Sequence, residues 1–300
     1  MEVRPDPGAA ASVGRLGTRA RHPSIGTVAD VTVIDPAGAE TPLPGGRWTA
    51  GVVRIGDTVR RPRSPESTFV AELLGHMHDA GFHGCPRYLG RDNLDRDVFS
   101  YIPGDVVARW RRLDDAEVAA AARLLRQWHD ATRGFRGGGV VCHHDPGPNN
   151  AVFIAGRPVA WIDFDFAAPG DPIEDVAYLA WSWCISGRPD RAPVSEQARQ
   201  VRLLADAYGL DHQRRRRLVR AIDERLDRNV AIWQAVTTDA PSPVAQHPLA
   251  QHPDTRHPVA QHPDARRRAN EVVAWTRSEQ RFVAENACVF QAALDAAPPA

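Results

Sequence analysis

One stretch of the sequence decides how this chain folds, and it reads Val141-Cys-His-His-Asp-Pro-Gly-Pro-Asn-Asn150. A short buried strand leads into it, and a hydrophobic hairpin is predicted over residues 151–162. Because the two strands of a hairpin return the chain to its starting point, Asp163 is expected to lie near Asp145 and Asn150. The sequence therefore predicts a cluster of two carboxylates and one amide.

This cluster has the chemistry that phosphoryl transfer requires. One carboxylate can orient and deprotonate an acceptor hydroxyl, while a carboxylate and an amide oxygen can hold Mg²⁺ against the phosphates. Two other interpretations are open at this point. Asp145 could cap the turn at Pro146-Gly147, or Cys142 through Asp145 could ligate a metal, although four adjacent loop residues converge poorly on one ion.

The motif residues resemble a known family. His143-His144-Asp145 followed by Asn150 is similar to the HxDxxxxN loop of the aminoglycoside phosphotransferase family, the counterpart of the protein-kinase HRDxxxxN loop. Residues 162–165 (Ile-Asp-Phe-Asp) and 170–177 (Gly-Asp-Pro-Ile-Glu-Asp-Val-Ala) resemble its second signature, in the expected order. Residues 52–62 also resemble an actinobacterial-type phosphotransferase subgroup. The resemblance covers residues 28–235.

The resemblance implies a role for each motif residue. Asp145 would be the catalytic base, and His143 would brace the catalytic loop by hydrogen bonding. Asn150 and Asp163 would bind Mg²⁺, and Asp165 would be a further Mg²⁺ ligand or a partner of the metal site. ATP would donate its γ-phosphate to a hydroxyl of a small molecule, such as an aminoglycoside or another metabolite.

The nucleotide clamp departs from the family pattern. Family members use a strand lysine that contacts the phosphates and pairs with a glutamate on the next helix, but this sequence contains no lysine. On the predicted strand 58–61, Arg60 is the first candidate replacement and Arg61 the second. Arginine stays charged and binds phosphate through a planar fork. Glu72 is the candidate glutamate partner, with Glu66 as an alternative.

The predicted fold is α+β, a two-lobed protein-kinase-like fold with an antiparallel sheet N-lobe and a mainly helical C-lobe. Residues 1–26 are expected to be a disordered tail, 27–103 the nucleotide-clamping lobe, and 104–300 the helical catalytic lobe. One helix is predicted in the first lobe at about 65–80, from its 3.6-residue apolar period. Gly45 and Gly46 lie between strand candidates and would form the glycine-rich loop over the nucleotide.

A low-complexity insert is predicted at about 240–265, where His-Pro recurs every five residues. Proline at this period excludes a helix or a central strand. The repeat is interpreted as a disordered insert between helices. The alternative is a metal-binding tract, as in a histidine-rich metal carrier. Its ligands would be His247, His252, His257 and His262.

Two further groups of motif residues have structural interpretations. Asp171, Pro172 and Glu174 are the N-cap, N1 and N3 residue types of a helix start, which favours a capping role over catalysis. Asp175, one turn into that helix, is expected to stabilise the lobe. His129 on the predicted helix 114–132 could be a general base, but packing is the favoured role.

The amino-acid composition argues against several classes of function. Basic and acidic residues both number 37, so bulk charge indicates no nucleic-acid or membrane partner. The four cysteines are widely spaced, and no signal peptide or transmembrane run is visible, so a cytoplasmic enzyme with a small-molecule hydroxyl substrate is expected. The oligomeric state is not specified. The alternative function is a catalytically weak or inactive kinase-fold protein of the binding or immunity type, which the missing lysine favours.

Overall fold

A computed structural model describes residues 33–34, 38–43, 51–238 and 264–296. Three predictions lie outside the described residues: the tail at 1–26, the glycine loop at Gly45 and Gly46, and the four histidines of the His-Pro repeat.

The N-terminal part of the described chain is one six-stranded sheet in the order β1-β5-β6-β4-β3-β2. Neighbouring strands are antiparallel, except that β1 and β5 are parallel. The Gly56-Asp57 turn joins β3 to β4, and Gly56 adopts a positive φ of 56° that suits glycine. The strands are β1 (Val33–Ile34), β2 (Thr41–Pro42), β3 (Val53–Ile55), β4 (Thr58–Arg61), β5 (Tyr88–Asp92) and β6 (Asp97–Ser100).

Helix α1 (Ser67–Asp79) is the helix predicted between these strands. Val70, Leu73, Leu74 and Met77 are buried, which is the face that the i, i+3, i+4 pattern predicted. These side chains join the main hydrophobic core of the protein.

The chain changes sheets at Gly104. Strand β7 (Asp105–Val106) pairs with β9 (Ala151–Ile154), which forms a hairpin with β10 (Arg157–Trp161). A Cβ at position 104 would lie 2.6 Å from the Phe153 carbonyl oxygen, so this close approach requires glycine. The predicted hairpin is therefore a part of the second sheet.

A third, two-stranded sheet holds the start of the motif loop. Strand β8 (Val141–Cys142) pairs with β11 (Ala168–Pro169). The Trp128 indole donates a hydrogen bond of 2.8 Å to the Val141 carbonyl, which ties β8 to helix α2 (Asp115–Ala131). The loop after β8 thus begins from a fixed strand.

Helices form most of the remaining described chain. Helix α2 begins with a capping box, in which the Asp114 side chain accepts from Glu117 N–H and Glu117 accepts in return from Asp114 N–H. Among the described residues, no helix is long and apolar enough to cross a membrane. The helices are α2 (Asp115–Ala131), α3 (Pro172–Leu179), α4 (Val194–Tyr208), α5 (His212–Thr238), α6 (Ala265–Glu285) and α7 (Ala287–Asp295), with a π-helical turn at 180–184 after α3.

The helical C-terminal part of the described chain is interrupted once. Helix α6 ends at Glu285 and α7 begins at Ala287. The Asn286 side chain donates a hydrogen bond to the Phe282 carbonyl at 2.8 Å, and its backbone leaves the helical region at φ −111° and ψ 11°. Asparagine side chains compete in this way with the helical backbone bonds.

Candidate functional site

Asp145 and Asn150 lie together, as the spacing predicted. The Asn150 side-chain nitrogen donates to the Asp145 carbonyl at 2.9 Å and to its carboxylate at 2.7 Å. The Ile162 N–H donates to the Asn150 carbonyl at 2.9 Å, which joins the loop to the end of the hairpin. The hairpin therefore holds the loop ends together and leads the chain back to the same place.

Asp163 completes the cluster through an unusual backbone conformation. Its φ is 67°, in the left-handed region that a non-glycine residue adopts only when its surroundings hold it there. Burial raises the pKa of its carboxyl, the nearby negative charge of Asp145 adds to this, and Arg61 opposes both. Its Oδ1 is shielded from solvent and makes no hydrogen bond among the described residues.

Arg61 is the arginine that reaches this cluster. Its guanidinium lies 3.2 Å from Asp163 Oδ1 and forms a hydrogen-bonded ion pair with Asp165. The charges of the two carboxylates outweigh burial and raise the pKa of Arg61. Asp165 therefore contacts the site through Arg61.

The prediction for Arg60 is corrected by the structure. Successive side chains of a strand point to opposite faces, so Arg60 and Arg61 cannot both reach the cluster. Arg60 is 2% exposed and lies 3.6 Å from Asp92, on the face away from Asp163. Burial lowers the pKa of Arg60, and Asp92 partly offsets this.

The prediction for Glu72 is also corrected. Its carboxylate binds Arg136 in two hydrogen bonds, of 2.6 and 3.0 Å, and half of its side chain is exposed. Arg136 has a φ of 52° in the turn after α2, and this conformation carries its guanidinium to α1. The alternative, Glu66, is the N-cap residue of α1 and makes no capping hydrogen bond through its side chain.

His143 is buried beneath the motif loop and hydrogen-bonded to it. It is fully buried, its Nε2 lies 3.1 Å from the Ile162 carbonyl, and its Nδ1 accepts from Asp145 N–H at 3.4 Å. Burial lowers the pKa of its ring, and the neutral tautomer with Nε2–H satisfies both contacts. The implied bracing role fits this geometry, whereas direct contact with a substrate does not.

The Asp175 carboxylate holds the motif loop by accepting hydrogen bonds from the backbone of His143 and His144. It accepts from His143 N–H at 2.6 Å, from His144 N–H at 2.7 Å and from His129 Nε2 at 2.9 Å. Burial alone would raise the pKa of its carboxyl, but the His129 hydrogen bond and the nearby histidines lower it to about 2. His129 is fully buried between Asp175 and the Tyr208 hydroxyl, which excludes it as a base for a bound substrate.

The start of α3 has the structure that its sequence predicted. The Asp171 carboxylate accepts from Ile173 N–H at 3.2 Å, and Pro172 is the first helical residue. Glu174 binds His144 at 3.2 Å and pairs with Arg228. These contacts lower the pKa of Glu174 to about 2 although burial opposes the shift, and the Glu174 contact in turn raises the pKa of His144 against the effect of burial.

Sequence reasoning missed three residues around Asp145. The Tyr178 hydroxyl lies beside the Asp145 carboxylate and accepts a hydrogen bond from Arg109 at 3.2 Å. The Arg225 guanidinium stands 4.4 Å over the Tyr178 ring. These residues come from three separate parts of the chain and belong to no motif, so only the folded structure brings them together.

Two groups of side chains could hold a metal ion. The oxygens of Asn150, Asp163 and Asp165 are the hard ligands that Mg²⁺ prefers, and Asp163 Oδ1 is held by its ion pair with Arg61 at 3.2 Å. His129, Cys142 and Asp175 also offer atoms within 4.8 Å of one another. The nitrogens of His129 and the oxygens of Asp175 already have hydrogen-bond partners, so this buried group is a structural network.

Comparisons with known proteins agree with this geometry. The sequence model of the phosphotransferase enzyme family (APH) matches residues 70–219, half of the chain. The chain is 33% identical over 196 residues to the trifolitoxin immunity protein of Rhizobium leguminosarum bv. trifolii, covering 57% of this chain and 74% of that protein.

Two solved structures show the same fold. A choline/ethanolamine kinase family protein from Mesorhizobium loti superposes with a TM-score of 0.52 at 17% identity, over 86% of this chain and 93% of that one. A spectinomycin phosphotransferase in complex with ADP and spectinomycin superposes with a TM-score of 0.50 at 11% identity, over 81% and 93%. The predicted α+β, protein-kinase-like fold and the resemblance to the aminoglycoside phosphotransferase family are thereby confirmed.

Proposed function

The chain belongs to the phosphotransferase enzyme family, and from this premise we propose that it is an ATP- and Mg²⁺-dependent phosphotransferase with a small-molecule alcohol as acceptor. The observation that carries the proposal is the convergence of Asp145, Asn150 and Asp163 through the hairpin. A family fold alone would not carry it, because one fold can support many functions.

Each residue of the cluster has a task in this proposal. Asp145 orients the acceptor hydroxyl and takes its proton as the phosphoryl group arrives. Asn150 fixes Asp145 by its two hydrogen bonds and, with Asp163, supplies oxygen ligands for Mg²⁺. The bound metal would neutralise phosphate charge.

Arg61 takes the place of the family lysine in this proposal. It is the one predicted nucleotide-contact residue that lies against Asp163 and Asp165 in the described structure. Its fork can bind two phosphate oxygens at once, whereas a lysine offers a single ammonium. The ADP complex of the spectinomycin phosphotransferase supports a nucleotide as the second ligand.

A second candidate function is a nucleotide-binding or immunity-type protein with weak or no catalysis. One relative is an immunity protein, and Glu72, the predicted partner of the phosphate-binding cation, pairs with Arg136 instead. The intact Asp145, Asn150 and Asp163 cluster favours catalysis.

One experiment separates the two candidates. Thermal unfolding of the purified protein with ADP, in the presence and absence of Mg²⁺, is expected to show Mg²⁺-dependent stabilisation that Asp163→Ala removes. A screen of phosphoryl acceptors with ATP should then detect transfer that falls by about 10²–10⁴-fold in Asp145→Asn, as for loss of a general base. Mg²⁺-dependent nucleotide binding without any transfer supports the binding protein, and absence of both contradicts either nucleotide role.

A further inference from the structure

Arg109 differs from its two arginine neighbours in having no carboxylate partner. In the segment that precedes α2, Arg111 pairs with Glu117 and Arg112 pairs with Glu196 at 3.5 Å. The described residues offer Arg109 no such ion pair, and its side-chain hydrogen bond goes to the Tyr178 hydroxyl, beside Asp145.

The Arg109 guanidinium is surrounded by aromatic rings. Its carbon lies 5.5 to 6.0 Å from the ring centres of Trp110, Tyr178, Trp181 and Trp275. Such cation–π contacts hold a guanidinium in place without neutralising its charge. The buried Glu279 lies beside two of these tryptophans. Its carboxylate accepts hydrogen bonds from the Gly187 N–H, at 3.1 and 3.2 Å, and from the indoles of Trp181 and Trp275.

Arg225 is a second cation at the same place, and it too forms no ion pair with a carboxylate among the described residues. It is only 7% exposed, its Nη2 donates to the His144 carbonyl at 3.3 Å, and its Nη1 has no hydrogen-bond partner among the described residues. Arg228 and Arg220 on the same helix pair with Glu174 and Glu224. A buried guanidinium left in this state is costly unless a ligand supplies the counter-charge.

Electrostatics connect both arginines to Asp145. Burial lowers the pKa of Arg225, the Tyr178 hydroxyl and the charge of Asp145 oppose this, and the positive charges of Arg228 and Arg109 add to it. Around the Tyr178 hydroxyl, two guanidiniums therefore face the carboxylate of Asp145.

From this arrangement we infer that the acceptor is a hydroxylated small molecule that carries an anionic group, and that Arg109 and Arg225 bind that group beside Asp145. The inference rests on the proposed function, because it places the acceptor hydroxyl at Asp145. A polycationic aminoglycoside is disfavoured, because its ammonium groups would meet like charges.

Binding of defined probes tests the inference without catalysis. Isothermal titration of the full chain, free of nucleotide, compares glycerate and 4-hydroxybenzoate with their neutral amides and with kanamycin. The acids are expected to bind about tenfold or more tightly than the amides, since an ionic hydrogen bond is lost in the amide. Arg109→Met keeps the aliphatic stem and should weaken acid binding by about tenfold or more, while Arg112→Met should leave it unchanged.

Three results would overturn the inference: no acid binding at about 10 mM, kanamycin binding at least as tight as acid binding, or an acid Kd unchanged by Arg109→Met. If Arg109→Met fails to fold, Arg109→Lys takes its place, with a several-fold weaker Kd expected because the fork is lost. Mg²⁺-dependent ADP stabilisation is measured on the same samples. Acid binding without ADP binding contradicts the proposed function alone, and ADP binding without acid binding contradicts this inference alone.

Discussion

At the scale of single residues, two neighbouring histidines have opposite electrostatic surroundings. His143 is fully buried among Trp128, Trp161 and Phe164, and burial lowers its pKa. Burial acts in the same direction on His144, but the hydrogen bond to Glu174 outweighs it and raises the pKa. The protonation of the two histidines before Asp145 is therefore controlled by residues on other elements, such as Glu174 on α3.

We expect the two rings to titrate on opposite sides of the ordinary histidine value of 6.5. His143 contributes stability that is lost as the pH falls below 6.5 towards its folded pKa, because the unfolded chain then binds the extra proton. His144 contributes stability that is present below 6.5 and is lost as the pH rises through its raised folded pKa. NMR titration of the ring protons measures both values. Glu174→Gln should lower the pKa of His144, and two unshifted titrations near 6.5 would contradict the expectation.

At the scale of elements, the acidic motif residues of helix α3 have structural roles next to the candidate site. Asp171 caps the helix, and Asp175 in its next turn holds the backbone of His143 and His144. The acidic residues of this motif thus divide between capping and loop support, and neither Asp171 nor Asp175 contacts the Asp145 carboxylate in the hydrogen bonds described.

Asp171→Ala should lower the free energy of unfolding by about 1 kcal/mol, the usual cost of losing an N-cap. Asp171→Ser retains a capping oxygen and should recover most of that loss. Urea unfolding measures the stability, and the phosphoryl-transfer rate measured at a stable temperature should change little in either variant. A rate loss as large as that of Asp145→Asn would show that Asp171 takes part in catalysis.

The sequence predicted the local part of the site well. Asp145, Asn150 and Asp163 are joined by one short hairpin, so their spacing alone indicated that they meet. The sequence alone does not choose between Arg60 and Arg61, because strand alternation assigns them to opposite faces of the sheet but does not say which face lines the cleft. The folded sheet answers this by placing Arg60 against Asp92.

Contacts between residues far apart in the chain could not be predicted from the sequence pattern. Glu72 lies on the predicted helix, but its partner Arg136 is 64 residues away and reaches it through a positive-φ turn. Arg109 in the segment before α2, Tyr178 on α3 and Arg225 on α5 likewise meet only in the folded structure. No period or motif encodes such a meeting, because it depends on the packing of whole helices.

At the scale of the whole molecule, Arg61 links the two halves of the site. It extends from β4 of the six-stranded sheet to Asp163 and Asp165, which follow the hairpin of the second sheet. Its charge offsets the repulsion between two carboxylates, and burial raises the pKa of each of them. The same oxygens are the candidate Mg²⁺ ligands, so the guanidinium and the ion act on the same negative charge.

Arg61→Met should therefore lower the melting temperature in the absence of Mg²⁺, because the two carboxylates lose their counter-charge. Added Mg²⁺ should then raise the melting temperature of Arg61→Met by more than it raises that of the unchanged protein, since the ion replaces a charge that Arg61 already supplies. Thermal unfolding with and without Mg²⁺, free of nucleotide, measures both shifts. Arg54→Met, which removes a partly exposed charge from the neighbouring strand β3, is the control and should respond to Mg²⁺ as the unchanged protein does. An equal or smaller Mg²⁺ response in Arg61→Met would mean that Asp163 and Asp165 do not receive the ion, and the metal ligands would have to be sought elsewhere in the cleft.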